Sequence, residues 1–250
     1  MNIFIYDSFL NQKKYDRVLA RIETRITDLG LNGKIDKLDP MKNINEIVGQ
    51  EIKRGAKSII VVGNDQTINK IANIMVNCQI PLGIIPIDKK NNDIAQALGI
   101  EFEESACESL SARRIARIDV GLANNACFLL RAMITNQGTT IEINQNYSVE
   151  INDKKGETQI INLLPPDVVV PIKNQISPQD GILDLFIKTK TAKNIFSQKN
   201  NYSLFQIKKI LIKNKRFPVV LDNAKSIAAP VKISLLKQKL NIIVGRNRNF

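Results

Sequence analysis

Histidine and tryptophan are missing from this chain, and the first absence excludes most. Without an imidazole there is no Ser-His-Asp triad, no histidine general base and almost no route to a zinc hydrolase. Proton transfer falls to a carboxylate, Lys, Tyr or Cys. The three cysteines, Cys78, Cys107 and Cys127, are odd in number and irregularly spaced. They indicate neither a disulfide framework nor a zinc site, and they fit a reducing cytoplasm. No apolar run approaches the roughly 18 residues of a membrane span. Met1–Asp7 lacks the basic flank and cleavage site of a signal peptide and reads instead as an opening strand. Aromatic residues are scarce, at 5%, and no basic block is interleaved with them.

What is present is ordinary for a soluble globular protein: 250 residues, 44% hydrophobic and 24% charged, enough for one large domain or two modest ones. The net charge of +12 comes from lysines scattered through a chain rich in Lys, Asn and Ile. It favours attraction to an anionic membrane surface over nucleic acid, which is not expected as a partner. The composition leaves oligomeric state open, a homodimer included.

Residues 1–118 alternate strand and helix patterns. Ile3–Tyr6, Ser58–Val62 and Leu82–Ile85 read as strands; Lys14–Leu29, Ile44–Arg54, Ile68–Val76 and Ile94–Leu98 read as helices, the first with Val18, Ile22 and Ile26 spaced at fours. This alternation predicts a parallel sheet covered by helices. From about Arg117 the texture changes to short strands parted by turn residues. They are Arg117–Leu122, Ala126–Thr135, Thr140–Ile143, Tyr147–Ile151, Thr158–Leu163, Asp167–Val170, Leu183–Ile187, Lys208–Ile212, Val219–Leu221, Val231–Leu235 and Leu240–Val244. Asp153–Gly156 gives the clearest hairpin signal, and one helix is placed near Ala192–Gln198. The expected fold is an α/β domain over 1–118, an antiparallel β-sandwich over 119–245 with a cleft between the two, and a loose basic tail over 246–250.

Two segments carry chemistry. In Gly63-Asn64-Asp65-Gln66-Thr67 a strand breaks at a polar turn and enters a helix, whose free N–H groups and positive dipole end suit phosphate. Asp65 has the chemistry to hold the magnesium of a nucleotide triphosphate; alternatively Asp65 or Thr67 merely caps the helix. In Pro86–Ala95, Asn92 or Asp93 stands at a helix N-cap, and Lys89 and Lys90 are either phosphate contacts or solvated loop lysines. Adjacent parallel strands set such turns side by side, so Asp65 and Asp93 are expected in one crevice.

These residues carry a resemblance. The order strand–G-x-D-x-T-x-N, then Pro81-Leu82-Gly83-Ile84-Ile85-Pro86, then Asn92-Asp93-Ile94-Ala95-Gln96-Ala97-Leu98-Gly99 resembles the diacylglycerol kinase catalytic domain family. That family includes bacterial soluble lipid kinases and sphingosine kinases. Arg117-Ile118-Asp119-Val120-Gly121, Phe128-Leu129 through Gly138, Ser177–Asp184 and Val219–Ala224 match later motifs in order, so the likeness spans the chain. It implies an ATP-dependent, magnesium-assisted lipid kinase, peripheral at a membrane, with a lipid as substrate. Asp65 and Asp93 would act around nucleotide and metal. Gly63, Asn64, Gln66, Thr67, Asn69, Lys89, Lys90 and Asn92 would line the nucleotide. Asp180 and Asp184 match a region where some bacterial members bind a structural metal, or are simply a turn Asp and a strand Asp.

The chain also departs from the family pattern. Asn64 and Gln66 replace two glycines of a G-G-D-G-T motif, and Asn69-Lys70 replaces an Asn-Glu pair. Asp88-Lys89-Lys90 stands where Gly-Thr-Gly is expected, and Tyr6-Asp7-Ser8 where a phosphate loop N-P-x-x-G would be. The acidic end of a D-G-E motif is Ala224, with Asp222 two residues away as the substitute catalytic candidate. The alternative is a pseudokinase that binds nucleotide or lipid, or serves as a scaffold. A NAD kinase, which shares the first motif, is disfavoured by Asn92-Asp93-x-Ala95.

Overall fold

The computed structural model describes residues 1–39, 41, 43–88, 90–143, 147–154, 156–168, 176–192, 198–248 and 250. The chain divides into two compact units, Met1–Ile118 with Gln238–Asn249, and Asp119–Lys237 with Phe250. The first thus regains the chain at Gln238, within the stretch that the sequence reading gave to the β-rich domain.

In the first unit, β1 (Asn2–Tyr6), β3 (Ser58–Gly63) and β4 (Leu82–Pro86) are nearly continuous apolar runs, buried on both faces as a helix-covered parallel sheet requires. The order is β2-β1-β3-β4, all parallel, with Ile242 of β16 (Val231–Ile243) joining parallel to Leu82. The edge strand β2 (Gly33–Lys37) alternates exposed and half-buried residues and is mostly polar, so no apolar pattern announces it. Helices α1 (Asp16–Asp28), α2 (Ile44–Lys53), α3 (Asp65–Met75), α4 (Asp93–Ala97) and α5 (Ala106–Ala112) complete the layer. On α1 the buried face is Leu19, Ile22 and Ile26, while Arg21 pairs outward with Glu103 and Glu104, and Arg25 with Glu108. These pairs are solvent-exposed and screened, so they add little to stability. The apolar face does more.

Among the described residues the regular elements of the second unit are all β-strands. One antiparallel set contains the first half of β16, β13 (Lys209–Lys213), β8 (Thr139–Ile143) and β9 (Tyr147–Ile151). The other runs β12 (Gln198–Ile207), β11 (Leu183–Ala192), β10 (Glu157–Ile161), β7 (Arg131–Thr135), β14 (Val219–Leu221), β15 (Lys225–Ile227). A hairpin of β5 (Ile115–Ala123) and β6 (Ala126–Phe128) precedes them. Ile141, Ile210, Ile212, Val231 and Ile233 from the first set meet Ala132, Ile134, Ile160, Leu185 and Leu221 from the second in one apolar core. The α/β and antiparallel β architecture expected from the pattern is present.

Several details differ from the sequence reading. Asp153–Gly156 is no hairpin: β9 pairs with β8 and β10 with β7 and β11, so this turn carries the chain between sheets. Ala126–Thr135 is two strands, and Val231–Ile243 is one. Ala192 ends β11 and Gln198 begins β12, while 193–197, the body of the expected helix, lie outside the described residues, as do Val169 and Val170 of the strand expected at Asp167–Val170.

The residues approaching the tail are not loose. Val244 N–H donates to Arg114 O and Gly245 N–H to Leu98 O. A Cβ on Gly245 would stand 1.6 Å from Gly99 O, and one on Gly99, itself at φ +67°, 2.3 Å from the Arg248 nitrogen. Only two glycines allow this backbone crossing. Gly245→Ala should therefore destabilise the protein by about 2 kcal/mol or more, read as a lowered urea midpoint, whereas exposed Arg246→Ala should leave it unchanged. Equal midpoints for both would mean that the segment is loose after all.

Candidate functional site

Three parallel strands, β1, β3 and β4, end side by side; Asp7 follows β1, and Asp65 and Asp93 open the helices that follow β3 and β4. Parallel α/β sheets bind ligands at this edge.

After β3, Asn64 is extended, with φ −124°, and its side-chain oxygen accepts from Gln66 N–H at 3.1 Å and Thr67 N–H at 3.4 Å. It is the N-cap of α3, a role the sequence reading offered to Asp65 or Thr67. Neither Asn64 nor Gln66 lies at positive φ, so replacing the family's glycines costs no backbone strain here. The cost is in donors, because the cap consumes N–H groups that a phosphate would take.

Asp65, only 7% exposed, faces the next turn. Its N–H donates to Asn91 O at 2.9 Å, and its carboxylate accepts from Asp93 N–H at 2.7 Å and Ile94 N–H at 3.2 Å. Asp65 therefore caps α4 from the first turn of α3, a charge-assisted arrangement that stabilises by about 1–3 kcal/mol. The structure does bring the Asp65 and Asp93 turns together. The loop between β4 and α4 holds Asp88 at φ +69° and Asn91 at φ +58°. Asp and Asn tolerate this region best after glycine. Fully buried Asn92 steadies the loop by donating its amide to Ile87 O, Asp88 O and Lys90 O.

Asp7 was not among the expected site residues. It ends β1 with its N–H on Val62 O, it is 9% exposed, and its carboxylate accepts from the Thr67 hydroxyl and from Phe9 N–H. A Cβ on Gly63 would approach the Asp7 carboxylate at 3.2 Å, so this side chain covers the bare tip of β3. The signal in sequence was a third apolar strand ending in a polar turn, Ile3–Tyr6 then Asp7. Of the other candidates, Gln66 and Lys90 are exposed, Asn69 is half-buried on α3, and Lys89 lies outside the described residues.

As they stand, these residues do not fit a magnesium-bound triphosphate. Both oxygens of Asp65 accept backbone N–H bonds, the N-terminal N–H groups of α3 and α4 are capped internally, and Asp7 holds Thr67. A phosphate about 4 Å from the Asp7 carboxylate would be repelled by roughly 4 kcal/mol at an effective dielectric of 20. Room and donors appear only if Asp7 and Asn64 turn away.

In the second unit, Asp222 has a structural task. Its carboxylate accepts from Leu129 N–H (2.7 Å), Leu130 N–H (2.9 Å) and Arg131 N–H (2.8 Å), fixing the bend that parts β6 from β7. Asn162 braces the same bend through Asp119 O and Leu129 O. An oxygen pair committed to three N–H bonds is a poor general base, which corrects the substitute role expected for Asp222. Asp180 accepts from Ile182 N–H, and Asp184 is 2% exposed with one oxygen unpartnered. Among the described residues no group of three Asp, Glu, Cys or His could hold a metal, so Asp180 and Asp184 gain no third ligand of those types. Burial, reinforced by Asp180, pushes the Asp184 carboxyl up to about 7. A cavity of about 270 Å³ is lined by Glu157, Gln159, Asp167, Phe186, Lys188 and Tyr202. Its Phe186 and Tyr202 rings stack at 6.0 Å, and Arg131 grips Asp167 with a two-pronged bond.

With this geometry in hand, comparison with known proteins is specific. Residues 2–123, just under half of the chain, match the diacylglycerol kinase catalytic domain. It is 24% identical to a Staphylococcus aureus (strain bovine RF122 / ET3-1) protein named "Putative lipid kinase", with 96% of each chain covered. It is 25% identical to an uncharacterized Synechocystis protein, covering 81% of this chain and 58% of that one. A diacylglycerol kinase crystal structure from Bacillus anthracis str. Sterne superposes with a TM-score of 0.76 at 20% identity, covering 98% of this chain and 97% of that one. At such identities the likeness shows the fold and leaves the substrate to be argued.

Two outcomes follow. Asp222→Ala strands three buried N–H groups and should lower stability by about 2–4 kcal/mol in urea titration; an unchanged midpoint would return Asp222 to the catalytic candidates. For Asp184 the folded carboxyl lies above its unfolded range near 3.8, so the native state holds the proton longer. Its contribution is fully present below pH ~4 and is lost as pH rises through about 7. Asp184→Asn should therefore flatten the decline in urea midpoint between pH 4.5 and 7.5. An identical decline in the variant would refute this.

Proposed function

We propose that the protein transfers the terminal phosphoryl group of ATP to a lipid hydroxyl. The observation that supports this reading is the match of residues 2–123 to the diacylglycerol kinase catalytic domain, with the Asp65–Asp93 junction holding the first turns of α3 and α4 together where that domain's nucleotide motifs fall; the triphosphate would enter only once Asp7 and Asn64 turn away. Phosphoryl transfer depends mainly on positioning and on neutralising charge. This chain's part would be to hold the two helix starts in register and to present Asp93 and Lys90 beside them.

The lipid reading draws support from charge. From Leu185 to Phe250 the only acidic residue is Asp222, buried and bonded, against fifteen lysines and arginines. Lys209, Lys213 and Lys232 stand exposed on β13 and β16, and half-exposed Tyr202, Phe205 and Phe217 belong to the same stretch. Basic and aromatic side chains together suit the headgroup layer of an anionic bilayer. No helix among the described residues is long and apolar enough to cross a membrane. The polar cavity of the second unit suits a hydroxylated headgroup better than an acyl chain.

A second reading, a relative that binds but does not transfer, is favoured by Ala224 and by the engagement of Asp222. Labelled ATP with mixed lipids on phosphatidylglycerol or phosphatidylcholine vesicles separates the two. Transfer on anionic vesicles that falls at least tenfold in Asp93→Asn supports the kinase. Absence of transfer from wild type and from Ala224→Glu supports the second reading.

A further inference from the structure

We infer that the phosphate cradle of this family is occupied in this chain by the protein's own groups, with the Asp7 carboxylate as its resident anion. The inference rests on the nucleotide site lying at the Gly63–Thr67 and Asn92–Ile94 turns. Five donors that a phosphate chain would seek there already have partners. Gln66 and Thr67 N–H donate to the Asn64 side chain, Asp93 and Ile94 N–H donate to Asp65, and the Thr67 hydroxyl donates to Asp7. Asp7 also lies against Gly63, on the tip of β3, where side-chain-free backbone leaves room for a ligand. Its remaining oxygen caps the following 3-10 turn, Ser8–Asn11, through Phe9 N–H. An anion held by a hydroxyl and a helical N–H, in a site nine-tenths enclosed, is bound as a phosphate oxygen would be.

Two features make this more than a tight turn. First, the positions that close the cradle are the positions where the chain leaves the family pattern: Asp7 replaces the phosphate loop, and Asn64 the glycine before Asp65. Second, the closure is unstrained, because Asn64 has ordinary extended geometry and Asp7 has φ −61°. The closed arrangement is a stable ground state, and a triphosphate enters by displacing Asp7 rather than by filling a waiting hollow. Asp7 would act on nucleotide affinity as a competitor linked to the site by a single strand.

The test is calorimetric titration of wild type, Asp7→Ser and Asp7→Asn with magnesium-ATP and with tripolyphosphate, each variant checked by circular dichroism and urea midpoint. Serine and asparagine keep a cap for Phe9 and remove the charge. The expected result is at least tenfold tighter binding of both probes in both variants. Equal affinities in all three proteins would overturn the inference, whether every protein binds or none does. Lipid phosphorylation is measured in parallel. Tighter nucleotide binding without transfer in any variant leaves the inference standing and removes the kinase reading, while transfer by wild type with no gain from Asp7→Ser does the reverse.

Discussion

One carboxylate organises the functional end of the first unit. By accepting the first N–H groups of α4 while sitting in the first turn of α3, Asp65 forces two strand ends and two helix starts into a common arrangement. The buried runs of β3 and β4 bring those ends to the same edge, but only a side chain reaching across can fix their register. Asn92 extends the same logic, tying three carbonyls of a loop that contains two left-handed residues. Buried polar groups are costly unless paired, so these bonds specify the turn as well as stabilise it.

The same interaction creates a conflict between stability and ligand binding. A helix start satisfied by its own protein is robust and indifferent to phosphate; one left open invites an anion at some cost in stability. This chain stands at the satisfied end. Asn64 and Asp7 complete what Asp65 begins, and in the β-rich unit Asp222 likewise spends its oxygens on three backbone N–H groups. Residues that read as chemistry in the sequence turn out to maintain backbone geometry.

Legibility followed burial. Ser58–Val62 and Leu82–Ile85 were readable because strands covered on both faces must be apolar throughout. Gly33–Lys37 and Gln198–Ile207 were not, since edge strands tolerate polar residues and carry little pattern. At Asp153–Gly156 the turn chemistry correctly marked a change of direction, but turn residues do not say which strand receives the chain. The meeting of Asp65 with Asp93 was readable from two like turns after two like strands. The strand end at Asp7 was marked by the apolar run Ile3–Tyr6, but its pairing with Thr67 was not, because the partners lie 60 positions apart. Capping illustrates the limit well: a cap belonged at each helix start, yet Asn64 serves α3, and α4 borrows its own from Asp65.

The return of the chain at Gln238 has a consequence during synthesis. Ile242 lies beside Leu82 in the parallel sheet, so its neighbour strand waits for some 160 residues to leave the ribosome. Until then the flank of β4 is an unpaired edge of Leu, Ile and Pro. A nascent chain stalled inside the β-rich segment would expose that edge to other polypeptides for as long as the interval lasts.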